Sequence, residues 1–370
     1  MTFPQGPPPY GYGYPPPPPP PRPGVIPLAP LNLGAILSGT FAAFGRHWKQ
    51  LFGFTAAVYG TALLFVGATI GIAFAAVGDL FPAVFDVPTG EEPRWDDVRP
   101  LIVAFVLVWI GALIAMVCAN ALMAAACPAV IQEAVLGRPT TFGALWRRSW
   151  SRMPAVLGTV LLTSLALALP FAILIAGMVG MFLAMFAASN TSSDITDGNW
   201  LLLPVLAFLL ALLVTPLALW IWVKFSLAPA AAVMEGQGAI ASMRRSSTLI
   251  RGFWWRSFGI LLLVAVATTF VSWLIQQILS VLATAPLAAI DFTGDDATAV
   301  IAAFVVIFAF LVVGQLVSQL VVSVFPPMVA AVLYVDLRIR KENLAPDLAR
   351  AAGLSPDPDA GPRGDWGRRH

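Results

Sequence analysis

Few residues in this 370-residue chain could do chemistry, and their spacing limits which chemistry is open. Two histidines, His47 and His370, and two cysteines, Cys118 and Cys127, are too few for a metal site or a disulfide framework. The cysteines lie nine positions apart on one predicted helix. That is about 13 Å by helical rise, too far for a disulfide. Glu133 and Glu235 follow Pro128 and Pro229 by five and six residues. They could form a carboxylate pair if their segments pack symmetrically, but Tyr334 and Asp336 break the series in a third such segment. Ion pairs with nearby arginines are the simpler expectation. No Ser/His/Asp order, paired His–Glu metal motif or glycine-rich phosphate loop with its lysine occurs. The expectation is a protein without catalytic activity, cofactor or metal.

Uncharged polar residues within apolar runs form a second group: Asn120, Gln276, Gln277, Gln315 and Gln319. In a low-dielectric setting their amides need partners. Interhelical hydrogen bonds worth roughly 0.6–2 kcal/mol each are the plain reading. Gln315 and Gln319 are four apart with Ser318 between them, so one helical face is polar. A solute path along that face is the alternative. Ionisable groups, which usually mark such paths, come near only at the run ends, as Glu133, Lys224, Glu235 and Asp336.

The third group is basic and aromatic. Arg46-His47-Trp48-Lys49 recurs as Arg148-Ser149-Trp150-Ser151-Arg152 and as Arg251-Gly252-Phe253-Trp254-Trp255-Arg256. Leu33, Ile36, Leu37, Phe41, Phe44 and Trp48 fall at helical spacing, as do Phe142, Leu145, Trp146, Trp150 and Met153. Such helices lie in the membrane interface, apolar side toward the acyl chains and arginines among anionic headgroups. The candidate lipid contacts are Arg46, Trp48, Arg147, Arg148, Trp150, Arg152, Arg244, Arg245, Arg251, Trp254 and Trp255. Topological anchoring needs the same residues and is the plainer reading.

The elements that position these groups follow from composition. The chain is 59% hydrophobic and 11% charged, with a mean hydropathy of +0.84. So few charges cannot wet a globular surface, which excludes an ordinary soluble enzyme and a disordered chain. Six runs reach the length of about 20 residues that a helix needs to cross a bilayer. They are Leu51–Val77, Leu101–Cys127, Pro154–Ala187, Leu201–Val223, Ser257–Ala285 and Ala297–Val324, none with an Asp or Glu. In lipid each backbone amide must bond within its segment, which selects helices.

The connecting segments alternate in charge. Arg46 and Lys49 precede the first run, and Arg138, Arg147, Arg148 and Arg152 follow the second. Lys224, Arg244, Arg245, Arg251 and Arg256 follow the fourth, and Arg338, Arg340 and Lys341 follow the sixth. The other loops hold Arg94 and Arg99 against Asp79, Asp86, Glu91, Glu92, Asp96, Asp97, Asp194, Asp197, Asp291, Asp295 and Asp296. By the positive-inside rule both termini are cytoplasmic in a multi-pass plasma-membrane protein.

A repeat underlies this order. Each unit opens on a basic amphipathic stretch, continues with two apolar runs around an acidic loop, and ends on a proline followed by apolar residues. The leading prolines are Pro128, Pro229 and Pro326. The expected architecture is all-α: a polytopic membrane bundle of six transmembrane helices in three units, each an interfacial amphipathic helix plus a transmembrane hairpin. The membrane domain spans 31–342, with pseudo-repeats 31–137, 138–237 and 238–342. The prolines ending each unit, beyond the hydrocarbon on the cytoplasmic side, are expected to bend the helix. Residues 1–30 contain 14 prolines and three tyrosines, and are expected to be a disordered cytoplasmic tether. Docking to a proline-binding protein is the alternative. Residues 343–370 are expected to be a disordered cytoplasmic tail.

The opening Pro23-Gly24-Val25-Ile26-Pro27-Leu28, with Pro30-Leu31 and Gly34-Ala35-Ile36-Leu37-Ser38-Gly39, resembles that of certain actinobacterial integral membrane proteins. These carry the membrane domain of glycerophosphoryl diester phosphodiesterase. The closing Leu333-Tyr334-Val335-Asp336-Leu337-Arg338-Ile339-Arg340-Lys341-Glu342 is similar to theirs. Ala35 and Ser38 stand where that family usually has acids. The resemblance implies a membrane module without the catalytic barrel. The functional expectation is therefore a non-catalytic scaffold or accessory module in a membrane-lipid or envelope process, with anionic lipid headgroups as partners and no nucleic acid. A transporter for a small or amphiphilic solute is the alternative.

Overall fold

The computed structural model describes residues 29–85, 94–190, 202–284 and 297–342. The leader through residue 28, the tail from residue 343 and the acids Asp86, Glu91, Glu92, Asp194, Asp197, Asp291, Asp295 and Asp296 lie outside the described residues. Among the described residues the fold is all-α. Asn32 caps α1 (Leu33–Val77), its side chain accepting from the Ala35 N–H at 2.7 Å. A 3₁₀ turn at Gly78–Leu80 leads into the short α2 (Phe81–Phe85). Next comes α3 (Trp95–Val135), with Asp96 and Asp97 in its first turn, where the helix dipole favours acids. It ends at Gly137, whose φ of 72° lets the Arg138 N–H return to the Glu133 carbonyl at 2.9 Å.

The remaining helices are α4 (Phe142–Asn190), α5 (Leu202–Phe225), α6 (Ala228–Met234), α7 (Ala239–Ile250), α8 (Trp254–Thr284) and α9 (Ala297–Glu342). Six helical stretches are long and apolar enough to cross a membrane, so the protein is a multi-pass membrane helical bundle. They pair as three hairpins, α1 with α3, α4 with α5, and α8 with α9. The 45 residues of α1 and the 46 of α9 would each extend nearly 70 Å if straight, more than twice the hydrocarbon thickness. Their ends therefore project beyond the lipid.

Burial is concentrated at one end of the bundle. Leu64, Phe74, Phe105, Trp109, Leu165 and Leu213 stand exposed along the spans, as lipid-facing residues do. By contrast, Ala121–Ile131 of α3, Ala230–Val233 of α6 and Met328–Leu337 of α9 are buried without interruption. Within the lipid apolar side chains gain little by leaving hydrocarbon for one another, so close backbone approach carries the packing there, while beyond the lipid burial from water adds to it. The alanines of these segments permit the close approach. These are the stretches around and after the matched prolines. Pro128, Pro229, Pro326 and Pro327 all line one cavity of about 180 Å³.

At the matched prolines α3 continues through Pro128 and α9 through Pro326-Pro327, and only at Pro229 does a new helix begin. Pro327 cannot bond to the Ser323 carbonyl one turn back, and the Cys127 thiol of α3 faces that oxygen at 3.9 Å. Packing against the neighbour holds the helix that the proline would otherwise break. The amphipathic stretches also differ in how they join the spans. The first bends into its span at His47 (φ −118°, ψ 18°) without a break, and the second is continuous with α4. The third is a separate helix, α7, set off from α8 by Gly252 at φ 88°.

The four basic segments lie together. The Gln50 amide donates to the Thr140 carbonyl at 3.3 Å, tying the first to the loop before the second. Arg152 donates to the Gly236 carbonyl at 2.9 Å, and Lys341 to the Arg251 carbonyl at 2.6 Å. Arg245 meets Glu342 at 2.5 Å. These bonds put both ends of the described chain, and every even-numbered connection between spans, at one end of the bundle.

Candidate functional site

Two regions carry the polar residues. The first is the buried basic end. Each carboxylate after a matched proline has an arginine of its own: Glu133 with Arg148 at 3.1 Å, Glu235 with Arg245 at 3.0 Å, and Asp336 with Arg256 at 3.0 Å. Glu235 also accepts from the Tyr334 hydroxyl, and Arg338 lies 3.5 Å from it. Burial disfavours the Arg245 charge, but its bonds to Glu235 and Glu342 outweigh this and raise its pKa above the usual arginine range. Asp336 has no exposed surface. It accepts from Arg340 at 2.9 Å and from the Leu31 N–H at 2.8 Å, while the Leu31 carbonyl accepts from Arg256 and Arg340. With every acid matched to a base, this end can brace the bundle but has no free acid or base among these groups.

The basic residues proposed as lipid contacts divide between inward and outward positions. Arg148, Arg152 and Arg245 point their guanidinium groups at protein acceptors, and Trp254 is half-buried and stacked on Phe258. Arg46, Trp48, Arg147, Trp150, Arg244, Arg251 and Trp255 are exposed, Trp255 the most of the three tryptophans at 77%. Lys49 lies over the Trp48 ring and Lys224 over Trp220, pairings common at a membrane interface.

The second region is a groove of about 690 Å³ between the first and third hairpins. Tyr59, Leu63 and Val66 of α1, Trp109 and Leu113 of α3, Gln276 of α8, and Gln315 and Gln319 of α9 line it. Leu63, Trp109, Leu113 and Gln315 are themselves exposed, so the groove opens sideways. Gln276 donates to Gln315 at 3.0 Å, and Gln319 stands one turn further along the same wall. Asn120 is not in the wall. It packs between helices and accepts from the Tyr59 hydroxyl at 2.8 Å. Gln277 is exposed and outside the groove. No His/Cys/Asp/Glu cluster fit for a metal occurs among the described residues.

Three contributors escape a reading by residue type: Leu31, which acts through its backbone, Trp109 and Tyr59. Tyr59 did leave a signal, being the one tyrosine inside the six apolar runs.

No curated protein and no solved structure matches this chain. The model of one family, described as a domain of unknown function (DUF7847), matches residues 95–337, from the start of α3 to near the end of α9. That is well over half of the sequence and takes in the groove's Gln276, Gln315 and Gln319 and all three proline-linked ion pairs, so the chain belongs to the DUF7847 family.

Proposed function

We propose that the protein is a non-catalytic accessory module of the plasma membrane that holds a membrane amphiphile in the groove between its first and third hairpins. The observation that carries this reading is the glutamine set in an otherwise apolar, laterally open wall. An amide offers two donors and two acceptor lone pairs, and the Gln276–Gln315 bond uses one donor and one acceptor site. The remaining sites of Gln276, Gln315 and Gln319 seek partners that hydrocarbon cannot supply. An acyl chain bearing a hydroxyl, ester or amide would fill the apolar wall and meet these groups. The resemblance to a glycerophosphodiesterase membrane domain points the same way, toward a module working beside lipids.

The same reading puts both termini in the cytoplasm, because the four linked basic segments share one end and basic flanks stay inside. The exposed arginines and tryptophans there face anionic headgroups. A proline-binding protein is an alternative partner for the proline-rich leader.

The test is lipid analysis of the protein purified in mild detergent. Wild type should carry a bound amphiphile that a Gln276→Leu/Gln315→Leu variant loses while keeping its melting temperature within a few degrees. Retention of the same lipid by the folded variant would refute the reading. The second reading is passage of an amphiphilic solute along the groove, favoured by the groove's lateral opening. Flux in reconstituted vesicles, sensitive to the same variant, would establish it.

A further inference from the structure

A separate cavity of about 320 Å³ lies at the bend of α1, lined by Arg46, His47, Gln50, Gly137, Pro139 and Thr140. It differs from the groove in being polar, and no carboxylate lines it. His47 is 3% exposed and sits at the one non-helical position within α1. Its Nδ1 is 3.1 Å from the Thr140 hydroxyl, while its buried Nε2 has no hydrogen-bond partner. A buried polar atom without a partner costs about 1–3 kcal/mol, so a structure that keeps one points to a ligand. The Thr140 hydroxyl is able to donate to Nδ1 or to accept from it, and in the tautomer in which it donates Nε2 carries the ring proton and is a donor with no acceptor.

The donors around it suit an oxyanion. Arg46 brings a full charge and a forked set of N–H groups, and Gln50 brings an amide. The site also sits where a lipid phosphate would. Leu51, where the first apolar run begins, is one residue beyond Gln50, and Trp48 and Phe52, close by in sequence, have about half of their surface exposed. We infer that Arg46, His47 and Gln50 bind a phosphate oxyanion, and that its source is the headgroup of an anionic phospholipid whose chains run along the exposed face of α1.

The experiment uses the full chain in detergent, with phosphatidylglycerol, phosphatidylcholine and inorganic phosphate as separate probes. Retention is read by native mass spectrometry and folding by thermal melting. Loss of one charge-assisted bond should lower phosphatidylglycerol retention about tenfold in Arg46→Gln and by a smaller factor in Gln50→Leu. Phosphatidylcholine offers the same phosphodiester but adds a choline cation that Arg46 repels, so its retention should be weaker than that of phosphatidylglycerol. His47→Asn should also reduce phosphatidylglycerol retention. Should that variant melt early, the two substitutions at Arg46 and Gln50 decide alone. Tight binding of inorganic phosphate, lost in the same variants, would support the oxyanion site and assign it to a soluble phosphate. Wild-type phosphatidylglycerol retention in both folded variants would overturn the site. Loss in Arg46→Gln alone, with Gln50→Leu unaffected, would also overturn the cavity and leave a surface charge.

Discussion

The carboxylate of Asp336, wholly buried in α9, accepts a hydrogen bond from the backbone N–H of Leu31, 305 positions earlier in the chain. Arg256 and Arg340 close the arrangement by bonding both the carboxylate and the Leu31 carbonyl. The residue that leads into the first helix is thereby clamped to the end of the last. Asp336→Ala would leave the Leu31 N–H without its acceptor and two guanidinium groups without a counter-charge, holding only the Leu31 carbonyl. We expect a loss of about 3–5 kcal/mol in unfolding free energy, read as early melting in detergent. Asp336→Asn, which keeps one acceptor oxygen, should lose less. An unchanged melting curve for the alanine variant would contradict the clamp.

Gly158 of α4 lies so close to α7 that an added Cβ would stand 2.9 Å from the Cβ of Ala239. Both atoms are rigidly attached to backbone, so relief requires moving a helix. Gly158→Ala should destabilise by about 1–3 kcal/mol. At Gly314 the nearest obstacle is the end of the flexible Leu279 side chain, at 3.0 Å. Gly314→Ala should therefore be the milder change, and thermal melting of the two variants side by side checks the order.

Arg245 joins α7 to α6 and to the end of α9, through Glu235 and Glu342. A double-mutant cycle of Arg245→Met with Glu342→Gln should give a coupling energy of 0.5–3 kcal/mol. Arg244, next in sequence but exposed, should show coupling near zero with Glu342. Equal coupling for both arginines would mean that α7 is rotated differently about its axis.

Orientation is testable by cysteine labelling in intact cells, after both native cysteines are replaced. Thr191→Cys and Thr293→Cys should react with an impermeant maleimide. Thr248→Cys, exposed at the basic end, should react only after permeabilisation. Ser246 would be a misleading reporter, because it is buried and donates to the Lys224 carbonyl at 2.8 Å, which protects it from either side. Equal labelling at all three reporter positions would refute the orientation.

The candidate site was only partly legible in the residues. Gln276 and Gln315 stand out because an amide in an apolar run must find a partner, and they find each other. Asn120 stands out for the same reason yet lies outside the groove wall, behind Tyr59, whose hydroxyl it accepts from. Residue type predicts the need for a partner but not its direction. His47 reads as an interface residue beside Trp48, and only the bend at its own backbone and the approach of Thr140 make it part of a cavity. The prolines invite a prediction of bends, because the lost hydrogen bond is local and visible. What compensates for it, the packing of α3 against α9, is neither.

The sequence by itself determined the six crossings, the all-α class and the sharing of basic flanks. Each depends on quantities counted along one dimension: apolar length against bilayer thickness, backbone bonds satisfied within a segment, and the sign of charge between segments. Tertiary structure alone decided which of two adjacent arginines turns inward, Arg148 rather than Arg147 and Arg245 rather than Arg244. It likewise decided that Asp336 is buried at the clamp and that a groove opens between the first and third hairpins. These outcomes rest on the rotation of each helix about its axis and on which helices meet. Lipid-facing and helix-facing positions are equally apolar, so hydrophobic periodicity does not encode that choice. Small residues, matched charges and paired amides, distributed over the whole chain, select it only once the helices are packed.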